Sequence, residues 1–449
     1  MAQAEGDSLG AWPLKAEDVI DALISHEERS KQDIHLVPSE NAPTMFSRLP
    51  YLMDMYNRYF FNEQRSPSAW NFNGARGVAD LETDLTVPLL KELTGARYVN
   101  VRPVSGLQAM LMILMAAGGG AGSHILTVSP RDGGHYATKG LATELGLHVH
   151  EIAVKDLAQL DIAEVEKQLE KWPVRLIYLD QSSGLFPFAV APLAELVKRC
   201  DPSIHIHVDT SHWLGLILGG VIPNPLAEGA SSFGGSTHKT FPGPQKAIIG
   251  TNEAAVSLRL KLMQHYLISS HHFGASASLG IALLEFKEHG QAYSRGILRN
   301  ARYMASCLDR YGFKVAGKEL GYTGGHQVWT SSEPIGVPAY EAGERLYRIG
   351  IHVNVLSSLP GFEEPVIRLG LNEFTRLGAE DKHVAVLADI MFRAIVQTGS
   401  EAELRDEVSR LRRCLPDHYG QGIFDERLLE KYSLLAERIG ADLLGEVGG

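Results

Sequence analysis

Two side chains in this sequence are framed for covalent chemistry. Lys239 lies in Ser231-Ser232-Phe233-Gly234-Gly235-Ser236-Thr237-His238-Lys239-Thr240-Phe241-Pro242-Gly243-Pro244, among small hydroxyl residues, a histidine and a Pro-Gly-Pro turn. Nothing nearby supplies helical periodicity or alternating charge, so the lysine is held in place rather than solvated. An amine confined in this way loses hydration, its pKa falls, and it becomes a nucleophile toward carbonyl carbon. Thirty positions upstream, Ile204-His205-Ile206-His207-Val208-Asp209 is a β-branched run ending in a carboxylate and continuing as Thr210-Ser211-His212. This pattern predicts a buried parallel strand with Asp209 at its carboxyl end, where open α/β sheets bind ligands.

A Schiff-base lysine and an acid that keeps a pyridine nitrogen protonated are the two parts required of a pyridoxal 5'-phosphate enzyme. The elements that must position them are legible as well. Asp80 to Gly95 reads as a helix stopped by glycine, and Tyr98 to Val101 as a strand. Val104-Ser105-Gly106-Leu107-Gln108 then opens a helix whose N–H groups and serine hydroxyl form an anion site, which makes Ser105 and Gly106 candidate phosphate ligands. Ile125 to Val128 and Val174 to Asp180 are further buried-type strands; Asp132-Gly133-Gly134-His135 follows the first, and Gln181, Ser182 and Ser183 follow the second. Strand alternation directs His205 and His207 to one face with no carboxylate or cysteine at ligand spacing, so no metal site is expected.

The order and spacing of several pieces resemble serine hydroxymethyltransferase. They are Ser39-Glu40-Asn41, Val104-Ser105-Gly106, Asp132-Gly133-Gly134-His135, Val208-Asp209-Thr210-Ser211-His212, Gly219-Gly220-Val221, Thr237-His238-Lys239-Thr240 and Val366-Ile367-Arg368. The resemblance runs from about Ser39 to about Gly378 and implies an α/β fold of the pyridoxal phosphate-dependent transferase fold type I. Such a fold has a large domain with a mostly parallel sheet and a smaller C-terminal α/β domain. The expected divisions are an N-terminal arm at 1–50, the large domain at 51–311 and the small domain at 312–449. The same likeness nominates Lys239, His135, Tyr59 and Asp209 as catalytic, and Ser105, Gly106, Ser182, His212 and His238 as further cofactor contacts. His135 is expected to stack on the pyridine ring, and Arg368 to meet the substrate α-carboxylate. For Ser39 two assignments stand open: a hydroxyl near that carboxylate, or the N-cap of a helix beginning near Ala42. Tyr266 to Phe286 is expected to begin as a loop and become a long helix that donates phosphate contacts across a dimer interface, so a homodimer at least is implied.

The sequence departs from the family at Asn57-Arg58-Tyr59-Phe60-Phe61. Tyr59 matches the active-site tyrosine, but Phe61 stands where hydroxymethyltransferases place a catalytic glutamate, and the loop through Trp70 is rebuilt. Leu107 replaces a second serine and Gln245 an arginine, while Val355 and Leu356 are apolar where the family lines its folate pocket with a polar pair. These changes disfavour folate chemistry and look like the L-threonine transaldolases, which release acetaldehyde from threonine and add the glycyl unit to another aldehyde. Tyr59 or His135 would handle protons. The alternatives are a folate-dependent serine or α-methylserine hydroxymethyltransferase using Glu63, a simple threonine aldolase, or a retired paralogue that binds a partner.

Bulk properties narrow the field. The 449 residues exceed one core and suggest two domains, and the net charge of −11 opposes nucleic acid and anionic membranes as partners. No apolar run is long enough to span a bilayer, and the acidic start lacks the features of a signal peptide, so a cytoplasmic location is the default. The three cysteines, Cys200, Cys307 and Cys414, suit reduced thiols. Lys15 to Gln32 has helical spacing, and the segment from Glu401 to Glu446 reads as terminal helices.

Overall fold

Seven strands form the central sheet of the computed structural model, which describes residues 15–61, 66, 68, 70–417, 419 and 421–445. Across the sheet they run Tyr98–Asn100, Ala247–Thr251, Ser232–Ser236, His205–Asp209, Val174–Leu179, His124–Val128 and His148–Ile152. The last five in that order are parallel, and Ala247–Thr251 is antiparallel to both of its neighbours. Parallel neighbours need crossover helices, which cover the sheet and bury both faces of its strands. Leu176, Ile177, Tyr178 and Leu179 are accordingly buried one after another, without the alternation of a half-exposed strand. Leu179 lies opposite Val208 and Asp209 opposite Gly234, so three strands finish level at their carboxyl ends. The close approach there requires glycine. Gly235 has φ +143°, and a Cβ on it would stand 2.4 Å from Ser211 Oγ and 2.8 Å from Asp209 Oδ1.

Helix positions depart from expectation in two places. The segment from Asp80 to Gly95 forms a π-helical turn at Leu81–Thr86 and then an α-helix at Val87–Thr94, capped by left-handed Gly95. Tyr266 does not open a loop; it belongs to the last turn of the helix Ala254–Leu267. The next helix starts only at Phe273 and continues for 38 residues to Arg310. Its first half packs Leu279, Leu283 and Phe286 into the core beside the large sheet, and its second half packs Ala301, Met304 and Leu308 into the C-terminal core. One helix thus joins both cores.

The C-terminal sheet has four antiparallel strands in the order Lys314–Val315, Gln327–Ser331, Val366–Gly370 and Asn354–Leu356. The amino-terminal segment completes this region. Ile34–His35 pairs in parallel with Ile351–His352, and Ile34 and Leu36 are fully buried in the C-terminal core. The preceding helix, Ala16–Ser30, buries none of its residues, and Val19, Ile20, Leu23 and Ile24 are exposed. Among the described residues, no helix is long and apolar enough to cross a membrane.

Candidate active site

The carboxyl ends of the parallel strands and the N-terminus of the helix Gly106–Ala117 enclose a cavity of about 180 Å³. Ser105, Gly106, His135, Ser182, Asp209, His212, His238 and Lys239 all line it. Sequence separation of more than one hundred positions is thereby collapsed into one site, as strand-end geometry in a doubly wound sheet requires.

Asp209 closes its strand and receives two donors. The buried Tyr178 hydroxyl donates to Oδ2 at 2.9 Å, and the Ser211 N–H donates to Oδ1 at 2.9 Å. Burial together with Asp209 and Asp180 drives the Tyr178 hydroxyl well above its ordinary value, so it remains a protonated donor. Lys239 has no hydrogen-bond or ion-pair partner for its amine among the described residues. Burial pulls its pKa down to about 8, against the opposing pull of Asp209 and with help from Arg368. Its backbone is pinned: the carbonyl accepts from Asn41 Nδ2 at 2.6 Å and from Asn372 Nδ2 at 3.3 Å, and Tyr293 donates to the neighbouring Thr240 carbonyl at 3.0 Å.

Three histidines present defined faces. His135 is the N-cap of the helix Tyr136–Glu144, and its Nδ1 accepts from the Ala137 N–H at 3.2 Å, which leaves the proton of the neutral ring on Nε2. Burial lowers its pKa, which favours that neutral ring. His326 Nδ1 donates to Asn372 Oδ1 at 3.0 Å, so His326 Nε2 is an acceptor and takes the proton of His212 Nδ1 at 3.1 Å. His212 Nε2 is then a bare acceptor. His238 is pulled down to about 4 by burial and by Lys239, and its Nδ1 is buried without a partner. His205 and His207 do share a face, where both meet Ser232 Oγ at 2.7 Å.

Arg368 stands beside the cavity on the strand Val366–Gly370. Its Nε donates to Asn354 Oδ1 at 2.9 Å and its Nη1 to the Ser182 carbonyl at 3.1 Å and Ser183 Oγ at 3.3 Å. Burial pulls its pKa down to about 10. No carboxylate of the described residues pairs with this buried guanidinium.

Some expected residues are not brought here. Tyr59 does not line the cavity of its own chain; it is 47% exposed in an aromatic cluster with Phe61 and Phe72, at ring distances of 5.5 and 5.4 Å. Ser39 does not line the cavity either, and the helix that follows it, Met45–Arg48, is capped by Thr44 instead. Glu63 lies outside the described residues. Conversely, Tyr178, Ser211 and Ser236 take part in the site although no motif singles them out for it. The place of Tyr178 in a continuous buried run two positions before Asp180, and the hydroxyls flanking Asp209 and Lys239, were the available signals.

The fold and this cavity define an α/β enzyme of the pyridoxal 5'-phosphate-dependent fold type I class. Residues 14–391 match the family model for serine hydroxymethyltransferase. An L-threonine:uridine-5'-aldehyde transaldolase of Amycolatopsis is 40% identical over 373 residues, covering 82% of this chain and 90% of that protein. The serine hydroxymethyltransferase of Archaeoglobus fulgidus is 30% identical over 414 residues, 90% and 92% of the two chains. The crystal structure of L-threonine transaldolase from Pseudomonas fluorescens in its internal aldimine state is similar at TM-score 0.82 and 26% identity, covering 92% of this chain and 96% of that one. The chain belongs to the serine hydroxymethyltransferase family. It is an enzyme of the transferase type, and its cofactor is pyridoxal 5'-phosphate.

The residues present fit that group. The 12-residue helix starting at Gly106 points its N–H groups at the cavity edge, with the hydroxyls of Ser105, Ser211 and Ser236 gathered around them. A Cβ at position 106 would lie 2.5 Å from Ser236 Oγ, so the cradle depends on the missing side chain. An unpaired amine, a doubly supported carboxylate and a partnerless imidazole nitrogen complete a site built to be filled.

Proposed function

We propose that this enzyme is an L-threonine transaldolase, which cleaves the Cα–Cβ bond of L-threonine, releases acetaldehyde and adds the glycyl unit to a second aldehyde. The product is a β-hydroxy-α-amino acid. When bound, pyridoxal 5'-phosphate supplies an electron-withdrawing pyridinium that stabilises negative charge at Cα. Lys239 would attach it, Asp209 would hold the ring-nitrogen proton, and the Gly106 helix end with Ser105, Ser211 and Ser236 would receive the phosphate. His135, His212, Ser182 and His238, which line the same cavity, would be further contacts of the bound coenzyme. Arg368 orients the substrate carboxylate, which fixes the bond at Cα that is presented for cleavage.

The Lys239 amine, neutral above about pH 8, accepts the proton of the β-hydroxyl group in cleavage and returns it to the oxygen of the incoming aldehyde, to which His135 donates a hydrogen bond from Nε2–H. Tyr59 is assigned to the site of a second copy, since it is exposed and does not line its own cavity. The exposed apolar face of the helix Ala16–Ser30 supports the same homodimer.

The choice of acceptor is carried by Phe61. An apolar ring stacked on Tyr59, at 5.5 Å and 15°, occupies the place of the acid that folate-coupled transfer uses. Relatives named for uridine-5'-aldehyde make a nucleoside aldehyde the first acceptor to test. The decisive measurement is acetaldehyde release from L-threonine by the purified holoenzyme, with and without a second aldehyde or tetrahydrofolate. Aldehyde-dependent formation of a new amino acid is expected; release that needs tetrahydrofolate, or serine cleavage coupled to it, would replace this function with that of a hydroxymethyltransferase.

A further inference from the structure

Besides Asp209, one other carboxyl group lines the cavity, that of Asp180. It follows the last residue of the strand Val174–Leu179 and stands next to Asp209, because Leu179 pairs with Val208 on the adjacent strand. Only 2% of Asp180 is exposed. Its Oδ2 is hydrogen-bonded to Thr138 Oγ1, and its Oδ1 is buried without a partner. Thr138 sits in the first turn of the helix capped by His135. Gly134 is pressed between the two strands: a Cβ there would be 2.2 Å from the Val128 carbonyl oxygen and 3.0 Å from Asp180 Oδ1. Its neighbour Gly133, at φ +97°, accepts from the Ser183 N–H at 2.9 Å. Residues 180–183 therefore grip the Gly133-Gly134-His135 turn at both ends, and the same segment holds Arg368 through Ser182 and Ser183.

We propose that Asp180 is a positioning residue of the coenzyme site: through Thr138 it holds the first helical turn behind His135, and so fixes where that imidazole stands in the cavity. This rests on the coenzyme reading of the cavity given above. Burial raises Asp180 to about 8, opposed by the Thr138 hydrogen bond and reinforced by Asp209. Near neutral pH it is then a neutral acid, and no second negative charge opposes Asp209. The titratable groups around it are Asp209 on the adjacent strand, Tyr178 on its own strand, His135 on the turn, and His212, His238 and Lys239 across the cavity.

The test uses full-length Asp180→Asn, Asp180→Ala and Thr138→Val, titrated with pyridoxal 5'-phosphate and followed by the absorbance of the bound coenzyme. Thermal unfolding of each coenzyme-free protein is measured across pH. Asn preserves the shape of the neutral acid, so Asp180→Asn is expected to bind within about threefold of wild type, whereas Asp180→Ala and Thr138→Val bind about tenfold more weakly. A pKa raised above the ordinary 3.8 means that stability from the protonated carboxyl is lost as pH rises toward about 8, and Asp180→Asn should remove that decline. Where Asp180→Ala does not fold, Thr138→Val decides. Coenzyme binding within about twofold of wild type, with an unchanged pH titration of the bound band, in Thr138→Val or in a folded Asp180→Ala would overturn the proposal. A separate control tests the cavity itself: Lys239→Ala must lose the covalent absorbance band, and its survival there would sink the coenzyme reading whatever the Asp180 variants do.

Discussion

Replacing Tyr178 by Phe tests the hydrogen bonding that holds Asp209, without reference to any ligand. The ring is fully buried and lies 5.0 Å from the His207 ring, so phenylalanine preserves the packing and deletes one hydroxyl. Asp209 Oδ2 then loses its donor, while Oδ1 retains the Ser211 N–H at 2.9 Å. A hydrogen bond to a charged group contributes about 1.5–3 kcal/mol. For a chain of 449 residues, an unfolding entropy of about 2.1 cal/mol/K per residue makes that a lowering of Tm by about 2–3 °C. The assay is thermal unfolding of the coenzyme-free protein in a double-mutant cycle with Asp209→Ala. The expected coupling between the two positions is about 1.5–3 kcal/mol, because the hydroxyl has no other acceptor to lose. If Tyr178→Phe costs the same stability in the Asp209→Ala background as in wild type, the pair is uncoupled and the account of how Asp209 is held is wrong.

Lys239→Met should abolish threonine cleavage in a turnover assay. In coenzyme-free protein the same change should stabilise: with its pKa at about 8 instead of 10.5, a buried Lys239 is costly while protonated, and the cost vanishes as pH rises through that window. Denaturant unfolding should find Lys239→Met about 3 kcal/mol more stable than wild type at pH 7, with the gap closing toward pH 10.5. Arg368→Lys keeps the charge but loses the planar fork, and kcat/KM for threonine should fall about 100-fold in steady-state assays. Mixing and refolding Lys239→Ala with Tyr59→Phe should restore about a quarter of wild-type turnover if Tyr59 serves the other copy's cavity, and nothing if it serves its own.

The residues that announce the chemistry were legible because each lies at the end of a short element with a clear local signature. Asp209 ends a β-branched run, Ser105 caps an apolar helix, and Arg368 sits within an apolar strand. The supports of those residues were not legible in the same way. Asn41, Tyr293 and Asn372 converge on the Lys239–Thr240 backbone from segments 198, 53 and 133 positions away, and no local pattern marks a side chain for so distant a carbonyl. The helix Phe273–Arg310 runs through Gly274, Gly280, Gly290 and Gly296, each of which weakens a helix taken alone. Gly280 and Gly296 instead allow close packing, since a Cβ at either would fall within 3 Å of Thr86 or Thr375. Tyr59 is marked by its motif, but the fold leaves it exposed and outside the lining of its own chain's cavity.

The parallel pairing of Ile34 with Ile351 spans 317 positions and sets the order in which this protein can be completed. A ribosome adding about 5–20 residues per second needs tens of seconds to deliver the later strand. Throughout that interval Ile34 and Leu36 lack the core that eventually covers them, and Asn41 waits for the lysine whose carbonyl it will hold. A segment synthesised early is thus among the last to be seated. A carboxy-terminal truncation would therefore strand apolar residues at the opposite end of the chain, and premature termination should be cleared as an aggregation-prone species rather than persist as a folded fragment.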